Sequence, residues 1–250
     1  MKKSPQERLE FEHRPEVIAK RLNSPQKTQN ISDAVLGAID GCVTTFAIIA
    51  GTIGAGFSAT TALILGFANL FADGFSMAVS NYEANKAQQD FVESVRQTEA
   101  KHIQQIPEGE REEIRQIFQR KGFEGQTLEK IVQTITQNKT LWIDTMMIEE
   151  HGIQTQAPEP IKAALTTFAA FLVVGAIPLI PFLIPLLDVY QQFLFSTILA
   201  AIMFFTIGLL KSLVFTKPMI YSGLSTLLTG GTAAGLAYLT GYMLRELFGI

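Results

Sequence analysis

Five apolar runs divide this chain, each about 18 residues or longer, and a helix of that length spans the hydrocarbon core of a bilayer. They cover 34–55, 59–82, 163–187, 193–210 and 219–244. The first is interrupted only by Asp40 and the second only by Asp73; the other three hold no charged residue. The first run is no cleavable signal, because it follows a charged 33-residue leader and pairs at once with a second span.

Charge is concentrated between the runs. Residues 1–33 hold seven Lys/Arg and five Asp/Glu, and residues 83–160 hold nine and fourteen. Overall only 17% of residues are charged, against about 25% in a soluble domain. That pattern excludes an ordinary cytosolic enzyme and a disordered tail. Cys42 is the sole cysteine, which excludes a disulfide scaffold. A net charge of -3 provides no basic footprint, so no nucleic-acid partner is expected.

The fold expected is all-α: a polytopic membrane protein with five transmembrane helices and a helical domain inserted between helices 2 and 3. The divisions are a leader (1–33), helices 1 and 2 (34–82), the insert (83–160) and helices 3 to 5 (161–250). Basic residues alternate with the connections: the leader, the insert and the Lys211–Lys217 link carry them, while the links near 56–58 and 188–192 carry none. Positive charge stays inside, so the leader and insert are expected in the cytoplasm and the C-terminus opposite. Gly37-x-x-x-Gly41 and Gly231-x-x-x-Gly235 allow close helix approach in lipid. Pro178, Pro181 and Pro185 are expected to kink the third span.

Within the insert, the second span is expected to continue as one long helix to Ile106, ended by Pro107. A second helix follows and ends at Lys121-Gly122. A third starts at Thr127 as its cap, and a fourth covers 140–151 and stops at Gly152. The apolar positions Ile114, Ile117, Phe118, Phe123, Leu128, Ile131, Val132, Ile135, Leu141, Trp142, Ile143 and Ile148 suit a small helical packet.

Packing alone does not require so many carboxylates. Glu99 and His102, Glu110 and Glu113, and Met146, Glu149 and Glu150 each share one helical face at i, i+3 or i+4 spacing. Folded together they would cage a divalent transition metal: carboxylate and imidazole suit Fe²⁺, Mn²⁺, Co²⁺ or Zn²⁺, and a thioether disfavours Ca²⁺ and Mg²⁺. The competing reading is a solvated acidic face. His13 and His151 lack a convincing partner set. In the spans, Asp40 lies in the run Asp40-Gly41-Cys42-Val43-Thr44-Thr45, and Asn69, Asp73, Met77 and Asn81 form a stripe at steps of four. A carboxylate at membrane depth is costly and by default marks a pathway or proton relay. Cys42 reads as a small buried apolar residue. No Gly-rich phosphate loop or nucleophile elbow is present, so neither ATP-driven transport nor enzymatic activity is expected.

These residues resemble a known family. Asp40-Gly41-x-x-Thr44-Thr45-Phe46 and Ala72-Asp73-Gly74-x-Ser76-Met77-Ala78 are similar to motifs of the vacuolar iron transporter family, also called nodulin-like. So are Glu110-x-x-Glu113, Ile117-Phe118-x-x-Lys121-Gly122-Phe123 and Trp142-x-x-x-Met146-Met147-x-Glu149-Glu150-x-Gly152. The resemblance implies a five-span homodimer that moves Fe²⁺, and often Mn²⁺, out of the cytosol in exchange for protons. It implies no cofactor beyond the transported metal. It implies pathway roles for Asp40 and Met77, and metal ligation at Glu99, His102, Glu110, Glu113, Met146 and Glu150 with Met147 and Glu149 beside them. Two departures stand out: Ser80-Asn81-Tyr82 replaces Gly-Glu-Tyr, and His102 stands where a second glutamate is common. The alternatives are a metal sensor without flux and a membrane-anchored di-iron enzyme, for which Glu99-x-x-His102 is half the usual signature.

Overall fold

The computed structural model describes residues 5–22, 28–154, 158–215 and 218–249. Lys217 and parts of the leader lie outside the described residues. Among the described residues every regular element is a helix.

Two short helices, α1 (Pro5–Glu12) and α2 (Pro15–Leu22), precede α3 (Thr28–Gly54). Next comes α4 (Ala59–Gln105), which Ser58 caps by accepting a hydrogen bond from the Thr61 amide at 3.2 Å. It runs unbroken for 47 residues, carrying an apolar half and a polar half. Nothing in 59–105 interrupts it, since the sequence there holds no proline and its two glycines, Gly66 and Gly74, sit buried at helix contacts. Pro107 stops α4 and opens α5 (Pro107–Arg120), where a missing amide hydrogen costs nothing.

The insert differs from expectation at two helix starts. α6 is Gly125–Thr136, so Thr127 lies inside it rather than capping it. α7 is Lys139–Glu149, because Asn138 supplies the cap by accepting from the Leu141 amide at 3.1 Å. Gly122 and Gly152 take φ of +91° and +67° just beyond the ends of α5 and α7. The core of this packet joins Ile114, Leu128, Val132, Ile135, Trp142 and Ile143 to Val92 and Ile103 of α4 and to Met146 and Met147. Phe123, Leu141 and Ile148 are exposed rather than in that core.

The apolar part is built around α3, which packs on α4, α8 (Pro160–Gly175), α9 (Val189–Phe215) and α10 (Met219–Phe248). The expected kink in the third span is a change of helix type. α8 ends at Gly175, and a 3₁₀ segment, Ile177–Leu183, takes over with Pro178 and Pro181 inside it. Ser196 of α9 donates to the Pro178 carbonyl at 2.7 Å, satisfying one acceptor there. Gly37 and Gly41 sit directly on α8: a Cβ would lie 2.2 Å from the Thr167 carbonyl oxygen and 2.5 Å from that of Phe171. Gly231 and Gly235, in contrast, face open space. Phe46, Phe193 and Tyr238 stack at 6.3 and 6.1 Å and join α3, α9 and α10.

By length and apolar content four stretches can cross a membrane: Ile31–Gly54, the first part of α4, Pro160–Leu183 and Val189–Ser212. α10 is long enough, at 30 residues, but its many Gly, Ser and Thr lower its apolar content. Cys42 is fully buried among these helices, as its sequence context suggested.

Candidate metal centre

The polar half of α4 presents Glu99 and His102 one turn apart, and α5 folds back beneath them because Pro107 forces the reversal. The fold brings Glu110 to His102, with Glu110 Oε1 3.5 Å from His102 Nδ1. Glu99 Oε1 lies 3.9 Å from the same nitrogen. The C-terminal end of α7 closes the other side: His151 Nε2 is 3.0 Å from Glu99 Oε1 and 3.7 Å from Glu150 Oε2.

The side chains of Glu99 and Glu110 are 2% and 7% exposed, and one oxygen of each (Oε2) has no hydrogen-bond partner among the described residues. A buried carboxylate oxygen without a partner is costly. A cation is the natural partner for two of them side by side. Two overlapping donor sets meet that need, Glu99–His102–Glu110 and Glu99–Glu150–His151, each with its ligand atoms within 4.8 Å of one another. Donors bonded to one ion at about 2.1 Å lie at most about 4.2 Å apart, so each set needs only a small contraction.

Burial, then the charges of Glu113, Glu99 and Glu150, push the Glu110 carboxyl up to about 7, with His102 opposing them. Glu113 is raised above the ordinary carboxylate range by burial and by Glu150 and Glu99. It therefore belongs to the same electrostatic group although its side chain is exposed.

Glu149 is not gathered in: it pairs with Lys121 at the end of α5. Met146 and Met147 are completely buried in the packet core. His151 was missed by sequence reasoning, which found no partners for it. Its partner comes from α4, 52 residues away, and the local signal was its place beside Glu150 where α7 ends. Among the described residues His13 Nδ1 meets the Leu9 carbonyl, at 2.8 Å.

The apolar half of α4 carries the second group. Asn69, Asp73, Met77 and Asn81 are all half-buried, and Asn69 and Asn81 reach side chains of α3 and α8. Asp40 of α3 and Asp73 of α4 are both half-buried in the apolar part. Thr44 donates to the Asp40 carbonyl at 2.9 Å and accepts from Asn69 at 3.4 Å. Met77 is partly buried at the margin of the apolar cluster that includes Phe171. Asn81 spends both amide hydrogens, donating to Asp33 at 3.0 Å and to Thr167 at 2.7 Å, and it accepts from Asn85 at 2.7 Å. Asp33 is itself buried, and sequence reading did not single it out.

With this geometry in place, the comparisons are specific. A family model described as "VIT family" matches residues 31–242. A "Vacuolar iron transporter" of Toxoplasma gondii is 31% identical over 228 residues, covering 88% of this chain and 76% of the relative. One of Plasmodium berghei is 31% identical over 225 residues, 86% of this chain and 82% of the relative. "Vacuolar iron transporter 1" of Arabidopsis thaliana is 28% identical over 210 residues and 83% of each chain. The matched stretch contains the two acidic spans, the carboxylate packet and the remaining apolar helices, so this multi-pass membrane protein belongs to the vacuolar iron transporter (VIT) family.

Proposed function

We propose that the chain is a divalent transition-metal transporter that moves Fe²⁺, and Mn²⁺ as a second cargo, out of the cytosol in exchange for protons. The observation that carries this reading is one continuous helix with acidic groups in both environments. α4 bears Glu99 and His102 in the polar packet and Asp73 and Met77 in the apolar part, where Asn69 of the same helix bonds to Thr44, one turn from Asp40 on α3. The relatives' name, vacuolar iron transporter, supports iron as cargo.

In this reading α10 is the fifth span, the leader and the insert face the cytoplasm, and two copies pair along the exposed side of α4. That side carries Ile64, Leu65, Phe71, Phe75 and Val79 in the open. The packet collects metal from the cytosol. Asp40 and Asp73 then hold the partly dehydrated ion, with the Met77 thioether as a softer contact. Protons arriving from the far side neutralise the carboxylates and release it. The membrane would be vacuolar in a eukaryote and the cell membrane in a prokaryote. A sensor or di-iron enzyme would use the same packet but leave Asp40, Asp73 and Met77 without a task.

Purified protein in sealed liposomes should admit Fe²⁺ and Mn²⁺ and alkalinise the lumen in step, since protons leave as metal enters. Asp40→Ala should abolish the flux while metal binding by the packet persists. Undiminished flux in that variant would remove Asp40 from the pathway, and binding with no flux in the native chain would favour the sensor.

A further inference from the structure

His151 sits where a metal donor would sit, and the transport reading so far assigns it nothing. It follows the last turn of α7, its Nε2 faces the Glu99 carboxylate at 3.0 Å, and Glu150 Oε2 lies 3.7 Å away. His102 Nδ1 approaches the same Glu99 oxygen, at 3.9 Å, and lies 3.5 Å from Glu110 Oε1. Glu99 is thus shared by two donor sets, each with two carboxylates and one imidazole. The independent sign of a ligand is Glu99 itself, 2% exposed with Oε2 unpartnered.

We propose that His151 is a metal ligand, and that with His102 it makes the packet selective for imidazole-favouring ions such as Fe²⁺, Co²⁺ and Zn²⁺ over Mn²⁺. The physical reason is the donor set. Mn²⁺ suits carboxylates and water, whereas imidazole suits the later first-row ions. An all-carboxylate packet would hold all these ions with little discrimination. Each nitrogen widens the gap between them. The inference deepens the transport reading, since it assigns a preference to the same packet, but it concerns binding and needs no flux.

The test uses the full chain in detergent, with Co²⁺ and Mn²⁺ competing in equilibrium dialysis, and compares the native protein with His151→Gln and His102→Gln. Glutamine keeps an amide donor for Glu99 but is a poor nitrogen ligand. Losing even a residue that merely orients a metal ligand costs roughly 10–100-fold in affinity, and a lost imidazole ligand falls mainly on Co²⁺, so each variant should lower the Co²⁺/Mn²⁺ preference by about tenfold. Pulsed EPR on the Mn²⁺-loaded chain adds a structural readout: the ¹⁴N coupling of imidazole should weaken in each variant. A Co²⁺/Mn²⁺ ratio and ¹⁴N coupling that His151→Gln leaves unchanged would overturn the proposal. So would an equal loss of both ions, which marks His151 as a support for Glu99 alone. The native chain's flux in liposomes is scored separately. Flux with no His151 effect sinks only this inference, and selective binding without flux sinks only the transport reading.

Discussion

Asn81 on α4 and Asp33 on α3 are joined by a 3.0 Å hydrogen bond, and the same amide reaches Thr167 on α8 at 2.7 Å. Three helices therefore meet at one side chain. Among the described residues Asp33 Oδ2 has no partner, so losing the amide would leave neither carboxylate oxygen with a side-chain donor there. Asn81→Leu should destabilise the chain by about 1–3 kcal/mol. Asn81→Asp should be worse, because it sets two carboxylates against each other. Thermal unfolding in detergent ranks the three proteins.

The two glycine motifs should respond differently to the same change. Gly41→Ala drives a methyl into the Phe171 carbonyl and ring on α8, an overpacking cost of about 1–3 kcal/mol. Gly231→Ala meets nothing within 4 Å and should shift stability by less than about 0.5 kcal/mol. Melting temperatures of the two variants under identical conditions check the contrast.

Glu110 sets a pH dependence with a definite sign. Its carboxyl is raised from 4.5 to about 7, so the metal-free folded chain keeps this proton where the unfolded chain has lost it. The metal-free packet is therefore most stable at low pH and loses stability as pH rises from about 4.5 to about 7. Metal binding must expel the proton. Affinity should climb with pH up to about 7 and flatten above it, with protons released below that point. Calorimetry in buffers of different ionisation enthalpy counts them. Glu110→Gln should weaken binding and remove most of the proton release.

Two neighbouring glutamates should separate cleanly. Glu149 pairs with Lys121 on the surface, a contact worth less than about 1 kcal/mol, and Glu149→Gln should leave metal affinity close to native. Glu150 reaches His151 in the donor group, and Glu150→Gln should cost roughly tenfold or more. Competitive titration with a metal-sensitive dye distinguishes them.

Much of this was legible in the chain itself. Apolar length gave the membrane-sized helices, and the absence of any breaker before Pro107 gave the full extent of α4. Spacing at i and i+3 chose Glu99, His102, Glu110 and Glu113 because one helix face is a local property. What escaped was non-local. Helical spacing put Glu149 beside Met146, but Lys121 draws it away. His151 had no neighbours within reach along the chain and found Glu99 across the packet. Met146 and Met147 look identical by sequence whether they pack or ligate, and here both fill the core. Asp33 looked like the last residue of a charged leader, yet the contact of α3 with α8 buries it.

The uninterrupted course of α4 has a mechanical corollary. From Asn81 to Glu99 is 18 residues, about 27 Å at 1.5 Å per residue. Under the proposed transport reading, an ion caught by the packet waits nearly three nanometres from the membrane site and cannot be handed over side chain to side chain. It must let go and drift inward. A packet in that role works by fast release, and one that gripped iron too tightly would starve the pathway it feeds.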